Sequence, residues 1–236
     1  MLKLASLAAA PTTTSEVGTR DDSRRLRTDA GVRPGQGRRE RSPADRVRGG
    51  QADQGRVRRP VRALGLAGDE YADKENHGGR EQALYAYARE DLDWWVERLG
   101  YELRNGQFGE NITVAGLDVS GALIGETWRI GTAVVQVTSP RIPCVTFQSW
   151  MDEPHWVKRF AAAGRPGAYL RVLAEGAVAA GDRAEVIGRP AERVTIAESM
   201  RAYYGDQDLM RRVLQVPGRG EKWDEIGQQV LGRARV

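Results

Sequence analysis

Hydrophobic positions fall in short runs separated by glycine turns from about Val61 onward. Residues 61–66 form an apolar segment that ends in the turn Gly65-Leu-Ala-Gly68, and residues 81–87 suit either a helix or a strand. Residues 91–100 predict a helix, with Glu90 or Asp91 near its start, Gly100 as its stop and Trp94, Trp95, Val96 and Leu99 on one broad face. Residues 112–114, 127–130 and 133–137 are β-branched and alternating, as half-buried strands require. A second helix is expected over 151–163 and a strand over 168–173. Strands at 184–187 and 194–196 follow the turn Gly181-Asp182. Many short strands with few helices predict a mostly-β chain built as a compact barrel.

The pattern changes at Ala197. Residues 199–204, 206–215 and 221–231 read as three short helices, with Leu209, Met210, Val213 and Leu214 forming an apolar stripe suited to a small bundle. The expected organisation is a leader over 1–60, a β-barrel domain over 61–197 and a helical domain over 198–236.

The leader has no period of 2 or 3.6 and is expected to be disordered. Residues 4–62 hold fourteen Arg against seven Asp and Glu, so the chain beyond residue 62 is mildly acidic although the total is +4. Arginine, glycine and proline crowd together there with no lysine between Lys3 and Lys74. That bias fits either a natural flexible arm or a stretch translated in the wrong frame of a GC-rich gene. Nucleic acid is not an expected partner, because no aromatic residue precedes Tyr71 and no recognition helix is evident. No apolar run approaches the ~20 residues of a membrane span. The run at 4–10 follows a single charge and is at the lower limit for a signal-peptide core, so neither membrane attachment nor a cleaved leader is expected. Cys144 is the single cysteine, which excludes an internal disulfide and every multi-cysteine metal site and makes a reducing cytoplasm the expected compartment.

Three clusters carry candidate chemistry. Pro140-Arg-Ile-Pro-Cys144 follows a strand, so prolines aim a thiol from a rigid loop, and Arg141 is placed to favour a thiolate or to bind an anion beside it. A buried inert cysteine is the competing reading. His77-Gly-Gly79, with Lys74 and Arg80 nearby, is a loop whose glycines let backbone approach a ligand; a lone histidine is more often a hydrogen-bonded structural residue. Phe108-Gly-Glu-Asn111 places a carboxylate and an amide in a turn before a strand, where they can read a heterocycle or simply cap the turn. There is no Walker loop and no GxGxxG after a strand, so nucleotide hydrolysis and Rossmann-type cofactor binding lack support.

Taken in order, these clusters with Gly65-Leu-Ala-Gly-Asp69, Gly116-Leu117, Ile124-Gly125, Arg129-Ile-Gly131 and Gly167-Ala-Tyr-Leu-Arg-Val-Leu173 resemble the MOSC domain (molybdenum cofactor sulfurase C-terminal), most closely its stand-alone YiiM-like branch. The resemblance covers about residues 61–232 and includes the three C-terminal helices. It implies a β-barrel-like fold that binds a molybdenum-pterin cofactor, and at the level of the family an association with pyridoxal phosphate. It implies Cys144 as catalytic sulfur carrier or molybdenum ligand, with Lys74, His77, Gly78, Gly79, Arg80 and Arg141 around the cofactor's phosphate. Phe108, Gly109, Glu110 and Asn111 would lie toward the pterin. Relatives reduce N-hydroxylated compounds with electrons from a separate protein, so an oxidoreductase of that kind is the expected function. A module carrying a Cys144 persulfide without turnover is the alternative, and a cofactor-free relic is a third. The departure from the family is in the leader. Residues 8–60 match none of its N-terminal strands, which puts closure of the barrel in question.

Overall fold

The computed structural model describes residues 3–7, 57–68 and 79–232, all within one compact unit. The sheet is organised around β4 (Leu84–Ala88), whose five residues are all buried. Side chains alternate across a strand, so Leu84, Ala86 and Ala88 enter one apolar core while Tyr85 and Tyr87 enter a second, aromatic one. That split separates the structural core from the face on which the candidate site is built.

The chain continues from β4 into α1 (Arg89–Leu99), which stops where Gly100 takes a left-handed φ of 78° and donates its N–H to Val96. It returns as β5 (Ile112–Ala115), parallel to β4. This is the one parallel pairing among the described strands, and the helix between them is the crossover that parallel neighbours need. On one side, β1 (Lys3–Leu7) lies antiparallel to β5. On the other, β8 (Ala168–Ala174), β7 (Ala133–Pro140), β6 (Thr127–Ile130) and β10 (Ala184–Gly188) follow in turn, giving a curled seven-stranded mixed sheet that forms half a barrel. A small second sheet pairs β2 (Arg59–Arg62) with β3 (Gly65–Leu66) and β9 (Gly176–Val178).

The strands expected at 112–114, 127–130, 168–173 and 184–187 are present. Residues 81–87 divide into a 3-10 turn at Arg80–Gln82 and β4. The helix expected over 151–163 is displaced and broken. It begins earlier as α2 (Val145–Met151), stops at Asp152 with φ 51°, and resumes as α3 (Trp156–Ala163) after His155 with φ 56°. Two left-handed residues flanking Pro154 cannot belong to a continuous α-helix. The strand expected at 194–196 reduces to a single bridge from Thr195 to Leu123. Thr195 instead caps α4 (Ile196–Tyr203): its hydroxyl accepts from the Glu198 N–H while the Glu198 carboxylate accepts from the Thr195 N–H.

α5 (Gln207–Gln215) and α6 (Lys222–Gly232) complete the three C-terminal helices. Leu209, Met210 and Val213 are buried, and they belong with Ala202, Trp223 and Val230 to the same core as the sheet. The Trp223 indole donates to the main-chain carbonyl of Thr138 on β7 at 3.2 Å, which seats α6 against the sheet. Within the leader expected to lack order, residues 3–7 and 59–60 are strand; residues 8–56 lie outside the described residues.

Candidate functional site

The end of β7 delivers the thiol. Pro140 is its last residue, Arg141, Ile142 and Pro143 follow, and Cys144 then stands in extended conformation (φ −127°, ψ 174°) as the residue before α2. Proline fixes its own φ and biases the residue before it away from helix, so α2 starts only after Pro143 has passed. Cys144 is free and half-buried. Like Ile142 and Tyr169, it packs against the aromatic core.

Arg141 locks this loop. Its Nη1 donates to the Phe108 carbonyl at 2.8 Å, while its guanidinium lies 4.0 Å from the Phe147 ring centre and 5.1 Å from that of Tyr85. Burial works against its charge, but Tyr169, Tyr85, Cys144 and Glu110 facing it outweigh that cost and hold its pKa above the ordinary value. Burial pushes the Tyr85 phenol well up despite Arg141, and Tyr85 donates to the Pro166 carbonyl at 2.8 Å. Tyr169 is likewise raised by burial, and its phenol makes no hydrogen bond among the described residues. Among the described residues, the thiol therefore lies in a setting with one permanent cation, Arg141, and one neutral, unengaged phenol, Tyr169.

The turn before β5 is built to support that cation. Gly109 has φ 77°, and a Cβ there would stand 3.7 Å from Arg141 Nη1. The buried Glu110 carboxylate folds back on its own loop, accepting from Gly106 N–H at 2.6 Å, Phe108 N–H at 3.0 Å and Thr113 hydroxyl at 3.0 Å. Burial raises its pKa in spite of these donors. Asn111 accepts the Tyr85 N–H at 2.9 Å through its side chain and donates its own N–H to the Tyr85 carbonyl at 3.2 Å. Phe108 is fully buried among Tyr87, Phe147, Trp156 and Phe160. Glu110, Asn111 and Phe108 thus position the Arg141 loop through the backbone they hold.

Cys144, Arg141, Phe108, Gly109, Glu110 and Asn111 come together in one region. Gly79 opens the 3-10 turn with φ 80°, and Arg80 beside it is exposed. Lys74, His77 and Gly78 lie outside the described residues. Sequence reading overlooked Phe147 and did not single out Tyr169 as a site residue. Tyr169 was accessible from the period of β8, which turns it away from the face of Ala168 and Leu170. Beside Ile142 and Tyr169 a cleft of about 270 Å³ runs between the end of β7 and the helices α4 and α6.

No group of three or more ligating side chains that could enclose a metal exists among the described residues. Cys144 is a single thiolate donor, which fits a metal whose remaining ligands come from a dithiolene and oxo groups rather than from the chain. Arg141, buried on one side and permanently charged, fits an anionic group beside it.

Residues 73–185 match the MOSC domain. The chain is 34% identical over 184 residues to YflK of Bacillus subtilis (strain 168), covering 74% of this chain and 83% of that one. It is 31% identical over 172 residues to YiiM of Escherichia coli (strain K12), covering 70% and 76%. A protein of Gibberella moniliformis (strain M3125 / FGSC 7600) named "Reductase" is 30% identical over 164 residues, which span 66% of this chain but 29% of that longer one. The crystal structure of YiiM from Geobacillus stearothermophilus superposes with a TM-score of 0.61 at 33% identity, covering 65% of this chain and 80% of that one. The chain belongs to the MOSC-domain proteins. Within them it is a YiiM-like member, alike in both sequence and fold.

Proposed function

We propose that this MOSC protein binds a molybdenum-pterin cofactor with Cys144 as the protein's ligand to the metal, and that it reduces N-hydroxylated compounds. The observation that carries the reading is the half-buried Cys144 thiol on a proline-pinned loop beside a permanently charged Arg141. The name of the Gibberella relative supports the redox class.

When bound, the cofactor supplies a two-electron couple. Reduction of R–NH–OH to R–NH2 and water breaks one N–O bond and consumes two electrons and two protons. The electrons come from a separate electron-transfer protein. Cys144 holds the group in place, and the Pro140 and Pro143 rings limit how far the sulfur can swing. Arg141 stabilises anionic charge beside it. Tyr169 keeps its proton on Oη at neutral pH and has that O–H free to donate among the described groups. Gly79, Arg80 and Arg141, with Lys74, His77 and Gly78, would hold the phosphate; Phe108, Gly109, Glu110 and Asn111 would hold the turn facing the pterin.

Elemental analysis of the wild type and Cys144→Ala tests this reading. Stoichiometric molybdenum in the wild type, absent from the variant, together with conversion of benzamidoxime to benzamidine by the wild type under reduced methyl viologen, is the expected result. Wild-type protein free of molybdenum but bearing labile sulfur on Cys144 makes the chain a sulfur carrier instead.

A further inference from the structure

The cleft beside the Cys144 loop is lined from both sides. The end of β7 and its neighbours supply Ser139, Pro140, Ile142, Tyr169, Glu81 and Gln82, and the C-terminal helices supply Tyr203, Lys222, Trp223 and Ile226. Its ~270 Å³ is near the lower end of the range for small-molecule pockets, the size of one or two fused rings rather than an extended ligand.

Its walls are firm. The Trp223 indole is fixed to the Thr138 carbonyl, and the Thr138 hydroxyl shares its single proton between the Glu81 carbonyl at 2.7 Å and the Tyr169 carbonyl at 3.1 Å. Arg171 ties Glu81, at 3.2 Å, to the Gly218 carbonyl, at 3.0 Å, just before α6. The two half-buried phenol rings, Tyr169 and Tyr203, lie on opposite sides of this frame.

The charges in the lining are unequal. Among the described residues Glu81 is the only carboxylate that lines it, and Arg171 already neutralises it. Lys222 is exposed at the rim and has no ion pair among the described residues. The Gln82 amide and Ser139 hydroxyl have no side-chain hydrogen bond among the described residues either. An aromatic slot with one uncompensated ammonium and two unengaged polar groups selects a flat ring that carries negative charge.

We propose that this cleft is the substrate cleft and that its occupant is a planar aromatic compound bearing an anionic substituent. Lys222 reads the charge, and Tyr203 and Tyr169 hold the ring. The C-terminal helices are then a specificity wall rather than an appendage. The proposal rests on the reductase reading only for the word substrate; the binding itself requires no cofactor.

Calorimetric titration of the full-length, cofactor-free chain with 2-naphthoate and with neutral 2-naphthamide tests it. The acid is expected to bind at least tenfold more tightly than the amide. Lys222→Ala should bring the two within twofold of each other, Lys222→Arg should restore the preference, and Tyr203→Ala should weaken both. Equal affinities in the wild type, no binding of either compound, or an unchanged preference in Lys222→Ala overturns the proposal. Cys144→Ala should bind naphthoate as the wild type does, and molybdenum is measured on a parallel cofactor-loaded preparation. If the chain discriminates the acid but the cofactor-loaded preparation takes up no molybdenum, the metal-ligand reading alone is overturned; if that preparation holds molybdenum but the chain does not discriminate, the cleft alone is overturned.

Discussion

Arg141 donates a hydrogen bond to the main-chain carbonyl of Phe108 at 2.8 Å, joining the Cys144 loop to the turn that precedes β5. The same guanidinium lies over Phe147, in the first turn of the helix that starts after Cys144. One planar cation therefore braces the Cys144 loop from both sides.

Replacing it by lysine separates charge from shape. Lysine keeps the positive charge but not the planar fork that reaches Phe108 and stacks on Phe147. Arg141→Lys should lower unfolding stability by about 1–3 kcal/mol. It should also reduce molybdenum content, because the loop loses its direction while its charge remains. Urea unfolding and metal analysis of one preparation check both. A variant that unfolds at the wild-type midpoint and retains full metal shows that the loop is held by something else.

Glu110 makes a pH prediction with a definite sign. Its folded carboxyl holds a proton more tightly than the unfolded one, because burial outweighs its hydrogen-bond donors. The unfolded chain therefore releases that proton at lower pH. The group's contribution to stability falls as pH rises from the ordinary carboxyl value through the raised one, and is level above. Glu110→Gln removes this titration. The stability of the wild type relative to the variant should accordingly be highest in acid and fall toward neutral pH, as read from urea midpoints across that interval. A wild type that gains stability over the variant as pH rises contradicts burial as the dominant cause.

Gly167 is where backbone and aromatic core meet. Its φ is 65°, and a Cβ would stand 2.6 Å from the Ala86 carbonyl oxygen and 2.6 Å from a Tyr87 ring carbon. Neither neighbour is the end of a flexible chain: one is the backbone of the central strand, and the other ring is buried. Gly167→Ala should destabilise by about 1–3 kcal/mol or more, by strain and steric clash together. It should also shift the near-ultraviolet circular dichroism of the tyrosines around it. Wild-type stability would mean that β4 and β8 can separate there at little cost.

Local patterns predicted most of the strands, and tertiary geometry explains what they missed. β6 and β8 were legible because their alternation matches a sheet whose two faces meet different surroundings. The break between α2 and α3 was signalled only by Pro154, since αL conformations at aspartate and histidine leave little trace in hydropathy. Thr195 looked like strand because it is β-branched, although Thr195 and Glu198 at capping-box spacing announced a helix start. At the site, Cys144 and Arg141 could be read from their flanking prolines. Phe147 under Arg141 is a contact across a loop, and the cleft joins segments from Glu81 to Ile226, which no local period brings together. Glu110 was recognised as a carboxylate with a job, but that its oxygens turn onto their own loop depends on the Gly106 and Phe108 amides being directed at them.

His155 offers a last test because it is the second histidine of the chain and the structure assigns it to backbone geometry. It is exposed, left-handed at φ 56°, and its carbonyl accepts from Arg159 N–H at 3.0 Å in the first turn of α3. A non-glycine residue pays roughly 1–2 kcal/mol for that conformation, partly offset by the chain entropy that glycine loses on folding. His155→Gly should therefore raise stability by about 0.5–1 kcal/mol. His155→Val, β-branched and least able to adopt a positive φ, should lower it by about 1 kcal/mol or more. Thermal unfolding of the three proteins should rank glycine above histidine above valine, with molybdenum content equal between glycine and histidine. A glycine variant less stable than the wild type would show that the imidazole itself makes a stabilising contact, and one that loses metal would give His155 a part in holding the cofactor.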